Sequence, residues 1–246
     1  MIVVFENLEN RQLLAADLVD GVLFVNGTAN ADIYRFDVTA LAATTAKVVV
    51  TTKTANKSFV GVTQINAYTK GGPDIVKVFN GNIPVDIYSG NGDDIIRTYN
   101  TDTFVSAGAG NDIVSVSVSN PSAATLPRTV RGDSGNDYIV GSAANDGLVG
   151  GAGDDIIVGG AGNDSINGGP GRNILKGGTG DDTFHVNPSN GLFEGDTVNV
   201  GGQDTIYGGP GTDKVIRYWN SVFSDSPIWE NVNTSVELNS TFDFGA

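Results

Sequence analysis

Asp137, Asp146, Asp155, Asp164 and Asp182 stand on a nine-residue beat, with Asn173 in the place of a sixth aspartate. Regularly spaced carboxylates suit either acid–base hydrolysis by a pair or the binding of a hard cation. The frame around them favours the cation. In GGAGDDIIV (150–158), GGAGNDSIN (159–167) and GGTGDDTFH (177–185), glycine fills positions 1, 2 and 4, aspartate position 6 and an apolar residue position 8. GDSGNDYIV (132–140) and GSAANDGLV (141–149) are weaker copies of the same row. The carboxylate spacing is thus explained by a repeat and leaves no separate pair to assign to hydrolysis.

Asp137 and Asp155, like Asp146 and Asp164, are eighteen residues apart. If two rows make one turn of a flattened coil, each pair lies on one edge in neighbouring rungs, with backbones about 4.8 Å apart. At an effective dielectric near 20, two such carboxylates repel by roughly 3 kcal/mol at most. A stack of them needs a counterion. The available ligands are carboxylates and turn carbonyls in a glycine-rich loop, a donor set for Ca²⁺ and not for Zn²⁺ or copper. For a single row the alternative is that aspartate only closes a turn, as Asp and Asn commonly do. Recurrence at position 6 together with the glycine pattern favours the ion.

The elements that must position these residues follow from the row. Six residues, GGxGxD, make a turn, and three make a short strand whose middle side chain points inward. Glycine supplies the positive φ angles of the turn and leaves room for carbonyls to point into the gap between rungs. One row cannot bury its apolar residue alone, so Ile139, Leu148, Ile157, Ile166, Leu175 and Phe184 are expected to meet between two stacked parallel sheets.

The beat extends upstream through Asp94 in GNGDDII and Asp112 in GAGNDIV, eighteen apart, and downstream through Asp204 and Asp213, nine apart. Between Asp112 and Asp137 the surplus residues fall on NPSAATLPR (120–128), whose two prolines suit a loop leaving one rung. VNPSNGLFEGD (186–196) reads as a second insertion. Residues 20–70 alternate more loosely, in GVLFVNG, ADIYRFDV and AKVVVTTK, as strands of a wider section poor in aspartate.

The expected organisation is all-β: a right-handed parallel β-roll or β-helix solenoid with wider N-terminal rungs and a C-terminal cap. It divides into an export-related or capping segment (1–19), N-terminal solenoid rungs (20–70), degenerate repeat rungs (71–131), the regular nonapeptide roll (132–185), an insertion with further repeats (186–217) and the cap (218–246), which gains Trp219, Phe223, Trp229, Phe242 and Phe244.

Composition bounds the partners. Glycine makes up 34 of 246 residues, about twice the usual ~7%. A net charge of −14 opposes nucleic acid and anionic membrane surfaces and favours cations. The absence of cysteine excludes disulfides and thiolate metal sites. No run approaches the ~18 to 20 apolar residues of a membrane span, so no membrane insertion is expected.

The rows at 150–185 resemble the GGxGxDxUx repeat of RTX, or hemolysin-type, calcium-binding proteins, whose repeats form a parallel β-roll. The resemblance implies Ca²⁺ between successive same-side turns, held by Asp137, Asp146, Asp155, Asp164 and Asp182 with carbonyls near Gly151, Gly153, Gly160, Gly162, Gly178 and Gly180, and less regularly by Asp94, Asp112 and Asp213. Row GGPGRNILK (168–176) departs from it: Asn173 removes a charge and Arg172 adds a repelling one, so little or no calcium is expected there. The N-terminal FENLENRQLLAADLVDGVLFVNGTANADIY is similar to the LExRxLLxA segment and following strand of secreted planctomycete proteins through Leu8, Glu9, Arg11, Leu13, Leu14 and Ala16. That likeness implies an extracellular or cell-surface location, although the basic region of an ordinary secretory signal is missing. The alternative for this segment is a short helix capping the first rung. The terminal FDFGA resembles the acidic and hydrophobic end of type I secretion substrates.

Repeats of this kind accompany enzymes, so catalytic patterns matter. The single histidine, His185, sits at position 9 of a row as an outward strand residue, and neither HExxH nor GxSxG occurs. The best enzymatic alternative is a calcium-dependent β-helical polysaccharide lyase with Arg131, Arg172, Lys176 or Arg217 as proton abstractor, or a repeat domain accessory to an enzyme. The leading reading is a non-catalytic calcium-stabilised roll with a structural, surface or adhesive role, its further partner a cell-surface glycan or protein.

Overall fold

A computed structural model describes residues 15–42, 44–81, 83–100, 102–117, 128–186, 204–209, 211–217 and 235–239. The described regular elements are all strands, and they form one sheet of eleven and one of ten. Along the repeat, successive strands alternate between the two sheets. Leu148 pairs with Ile166 and Ile166 with Phe184 in one sheet; Ile139 pairs with Ile157 and Ile157 with Leu175 in the other. These in-register parallel pairs make the rung eighteen residues long, and the chain is an all-β parallel roll.

The register holds where the sequence interval does not. Ile113 pairs with Tyr138, and Phe184 with Val215, so the surplus residues leave the roll without shifting its columns. Residues 118–127 and 187–203, which carry most of both expected insertions, lie outside the described residues. Arg128 does not: the sequence reading placed it in the first insertion, but it opens the strand Arg128–Ser134. Its side chain is fully buried, directly in register with Asp146.

The ends depart from parallel pairing. Ala15–Val19 pairs antiparallel with Val22–Asn26, and Ile33–Ala42, Thr45–Thr51 and Asn56–Val62 form an antiparallel meander. The wide N-terminal section is therefore one rung enlarged by a meander, which shields the first parallel strands from open-edge pairing. Ser235–Asn239 pairs antiparallel with Thr212–Arg217 at the far end. The rest of the terminal segment expected to cap the roll, and the planctomycete-like stretch up to residue 14, lie outside the described residues.

Alternation along each strand turns not one but three row positions inward. In Asp146–Ala152, Asp146, Leu148 and Gly150 are buried, while Gly147 and Val149 are half-buried. Position 6, position 8 and position 1 of the following row therefore share the interior. The centre of that interior is a continuous apolar file that includes Val114, Val130, Ile139, Leu148, Ile157, Ile166, Leu175 and Phe184, none measurably exposed. On the outer face of the ten-stranded sheet, position 7 forms a registered ridge of Ile113, Tyr138, Ile156 and Ile174, each about two-fifths exposed.

Ile157 lies between Ile139 and Leu175 in its sheet and has no exposed surface. Ile157→Ala should destabilise the calcium-loaded protein by about 2 to 5 kcal/mol in denaturant unfolding, the range for a large-to-small change in a packed core. Ile156→Ala, one residue away on the exposed ridge, should cost well under that.

Candidate metal centre

The site begins with the turn. Gly151 and Gly153 have φ of 118° and 140°. A Cβ built on them would stand 2.1 and 2.0 Å from the carbonyl oxygens of Asp133 and Gly135 in the preceding rung. Only glycine permits both the left-handed backbone and this closeness. The carbonyls anticipated as ligands behave alike: the oxygens of Gly151, Gly153, Gly160, Gly162, Gly178 and Gly180 point into the inter-rung gap. Each lies 1.8 to 2.1 Å from where a Cβ would sit on the matching glycine of the next rung, Gly169 to Gly211.

Tight rung spacing brings each position-6 side chain against the preceding rung. Asp137, Asp155, Asp164, Asp182 and Asp213 each accept, through Oδ1, the backbone N–H of the position-6 residue one rung earlier. The donors are Asp112, Asp137, Asp146, Asp164 and Asp182, at 2.8 to 3.0 Å. Asp94 and Asp112 accept in the same way from Asp74 and Asp94. Two columns result. One runs Asp32, Asp74, Asp94, Asp112, Asp137, Asp155, Asn173, Asp204, and the other Asp146, Asp164, Asp182, Asp213. Asp155 is linked to Asp137, and Asp164 to both Asp146 and Asp182, as the eighteen-residue spacing requires.

One oxygen per carboxylate is therefore satisfied by protein, and the other is not. Oδ2 of Asp74, Asp94, Asp112, Asp137, Asp155, Asp164 and Asp182 is buried without a hydrogen-bond donor. An unpartnered buried carboxylate oxygen is strongly unfavourable. In the glycine-rich rows Oδ2 occupies a cradle at position 1. A Cβ on Gly132, Gly150, Gly159, Gly177 or Gly208 would lie 2.1 to 2.2 Å from Oδ2 of Asp137, Asp155, Asp164, Asp182 or Asp213. For the first four it would also lie 2.5 to 2.7 Å from the carbonyl oxygen of Gly150, Gly168, Gly177 or Gly208 in the next rung. The carbonyls gathered at Oδ2 are thus those of position 1, which the motif reading did not single out.

Among the described residues no three Asp, Glu or His side chains converge. A cation here would take carboxylate oxygens from the column and backbone carbonyls from the turns, in keeping with the oxygen ligands and flexible geometry of Ca²⁺. The residues fit that ion: it would supply positive charge and coordination to oxygens that the protein leaves without donors.

Two rows supply Oδ2 with donors of their own, and Asp146 Oδ1, which has no hydrogen-bond donor, faces a cation instead. Asp146 Oδ2 accepts from the backbone N–H and hydroxyl of Ser142, and its Oδ1 lies 3.7 Å from Nη1 of buried Arg128. A guanidinium therefore stands eighteen residues before Asp146, at the head of the second column. Asp32 Oδ2 likewise accepts from the N–H and hydroxyl of Thr28. In row 168–176 the Asn173 amide donates to the Gly169 carbonyl and to Asp204. Arg172 does not enter the interior as a repelling charge. Position 5 faces outward, and Arg172 pairs with Asp154 at 2.9 Å.

The same geometry exposes residues the sequence reading passed over. Asp32 and Asp74 extend the first column beyond the regular repeat, and a second ladder runs along position 5. There the side chains of Asp93, Asn111, Asn136, Asn145, Asp154, Asn163 and Asp181 each accept the N–H of the position-5 residue one rung later. The recurrence of Asn or Asp at position 5 was the available signal. The two ladders have opposite polarity: position 6 reaches back for its donor, and position 5 receives one from ahead.

Burial dominates the titration. It pushes the carboxyl of Asp164 up to about 8, Asp112 to about 7 and Asp155 and Asp182 to about 6, and also raises Asp94, Asp137, Asp146 and Asp213. The backbone N–H bonds oppose burial only in part, and neighbouring carboxylates reinforce it at Asp164, Asp155 and Asp182. A carboxyl whose folded pKa exceeds its unfolded value near 4 contributes stability that is full below about pH 4 and is lost as pH rises through the folded value. In excess chelator, thermal melting should therefore shift upward as pH falls from about 8 to about 5. Saturating calcium should abolish or reverse that trend. Melting curves at matched ionic strength check both.

A model of the RTX calcium-binding nonapeptide repeat matches this chain in four copies, at residues 86–114, 129–157, 149–184 and 200–216. No curated protein and no solved structure gives a significant match. The matched stretches carry the glycine turns and most of both aspartate columns. Residues 86–114, 129–184 and 200–216 thus match the RTX calcium-binding nonapeptide repeat, a repeat that takes Ca²⁺ as its ion.

Proposed function

We propose that the protein is a non-catalytic, extracellular roll whose fold is stabilised by calcium bound between same-side turns, serving a structural, surface or adhesive role. The observation that carries this reading is the file of buried Oδ2 atoms without donors at Asp137, Asp155, Asp164 and Asp182, each beside a glycine cradle. If free Ca²⁺ stands about a hundredfold above the dissociation constant, each site adds about 2.7 kcal/mol to the folded state. Several such sites rival the whole stability of an ordinary domain. Extracellular calcium, at which modules with dissociation constants of ~10⁻⁴ to 10⁻³ M are loaded, supplies that condition.

Of the side chains nominated for a lyase, three find other partners, and that of Arg217 lies outside the described residues. Arg131 pairs with Asp133 and Arg172 with Asp154 on the outer surface, and the Lys176 ammonium lies over the Tyr207 ring. His185 is half-buried, and burial lowers its pKa. None of these contacts favours the enzymatic alternative.

Calcium titration of the full chain, followed by far-ultraviolet circular dichroism and calorimetry, should show strand gain with several ions bound. Asp155→Asn and Asp164→Asn should each lose at least one ion and about 2 to 3 kcal/mol of calcium-dependent stability. A chain equally folded and equally stable in excess chelator would contradict the proposal.

A further inference from the structure

Position 1 points into the roll beside the position-6 carboxylate, and its identity changes abruptly along the chain. From row 132–140 onward it is Gly132, Gly141, Gly150, Gly159, Gly168, Gly177 and Gly208, with Asn199 in the row of Asp204 as the exception. In the rows of Asp74, Asp94 and Asp112 it is Thr69, Ser89 and Ala107, all buried, and in the row of Asp32 it is Gly27, where Asp32 Oδ2 already accepts both Thr28 donors. At Gly132, Gly141, Gly150, Gly159 and Gly177 a Cβ would press on Oδ2 and on the next position-1 carbonyl together. Where a side chain already exists, that room is taken. The Thr69 and Ser89 hydroxyls also engage the carbonyls that line the cradle elsewhere, donating at 2.8 and 2.7 Å to Ser89 and Ala107, the position-1 residues of the next rungs on their edge. Ala107 places a methyl group at the equivalent point.

We propose that the position-1 residue decides which rows take calcium: glycine leaves the cradle open to the ion, whereas Thr69, Ser89 and Ala107 close it. The matched copy at 86–114 is then a calcium-free stack of rungs, and the ions are confined to rows from 132 onward. Within those rows, Ser142 already fills Asp146 Oδ2 and the Arg128 guanidinium stands 3.7 Å from its Oδ1, and Asn173 carries an amide, so the calcium carboxylates are Asp137, Asp155, Asp164, Asp182 and Asp213. Asp74, Asp94 and Asp112 keep the aspartate of the motif and its backbone hydrogen bond without the ion. This inference rests on the calcium reading above and restricts it to part of the chain.

The test counts ions bound per full chain, by equilibrium dialysis and calorimetry with Ca²⁺ alone. Gly159→Ser should bind at least one fewer ion than the unaltered chain, and Ala107→Gly one more. Asp94→Asn and Asp112→Asn should leave the count unchanged, whereas Asp155→Asn lowers it. The two Asn variants at 94 and 112 keep the outcome decisive if Gly159→Ser does not fold. An unaltered chain that binds no calcium overturns the functional reading and this inference with it. A chain that binds calcium, but loses an ion on Asp94→Asn or Asp112→Asn or keeps its full count in a folded Gly159→Ser, overturns this inference alone.

Discussion

A carboxylate oxygen buried without a donor is the constraint on which the rest of this molecule turns. From Asp74 to Asp182 most position-6 aspartates give one oxygen to the backbone of the neighbouring rung and turn the other, without a donor, into the interior. The first contact sets the register of the stack, for it repeats at Asp137, Asp155, Asp164 and Asp182 with nearly constant length. The second oxygen leaves a deficit of positive charge that a hard cation matches. Fold and ion requirement thus arise from one side chain, and a substitution at position 6 removes a rung contact as well as a ligand.

Glycine plays two separable parts. At positions 2 and 4 it allows the turn, since Gly151 and Gly153 combine positive φ with carbonyl contacts that no Cβ tolerates. The backbone part is not absolute: Asp133 occupies position 2 with φ of 73° and Lys70 with φ of 78°. At position 1 the demand is spatial. The strand is extended there, other residues fit, and what changes is whether room remains beside Oδ2. Arg128 shows a third solution, a fixed guanidinium at the head of the second column where the chain carries its own cation. A buried pair of that kind is a weak source of net stability, but removing one partner leaves the other uncompensated.

The period, the eighteen-residue rung, the apolar file and the aspartate columns were legible in the sequence because each depends on spacing alone. What was not legible depended on direction. Strand alternation carries positions 6 and 1 inward beside position 8, so reading three-residue strands in isolation hid the interior role of Gly150 and Ala107. Asp32 and Asp74 escaped because meander and loop residues stretch their intervals to 42 and 20, breaking the beat while the structural register persists. Arg128 was hidden by two nearby prolines that made its surroundings read as loop. Arg172 looked like a charge aimed at a metal site because its row gave its position without its orientation.

Hydrogen exchange resolved along the chain, compared in saturating calcium and in excess chelator, reads whether calcium compensates the buried oxygens of the glycine-rich rows. Chelation should strip protection from the strands between Arg128 and Arg217 while leaving those between Val22 and Val116 closer to their calcium-loaded values. Equal protection of Ile156–Ala161 and Ile174–Thr179 with and without calcium would contradict it.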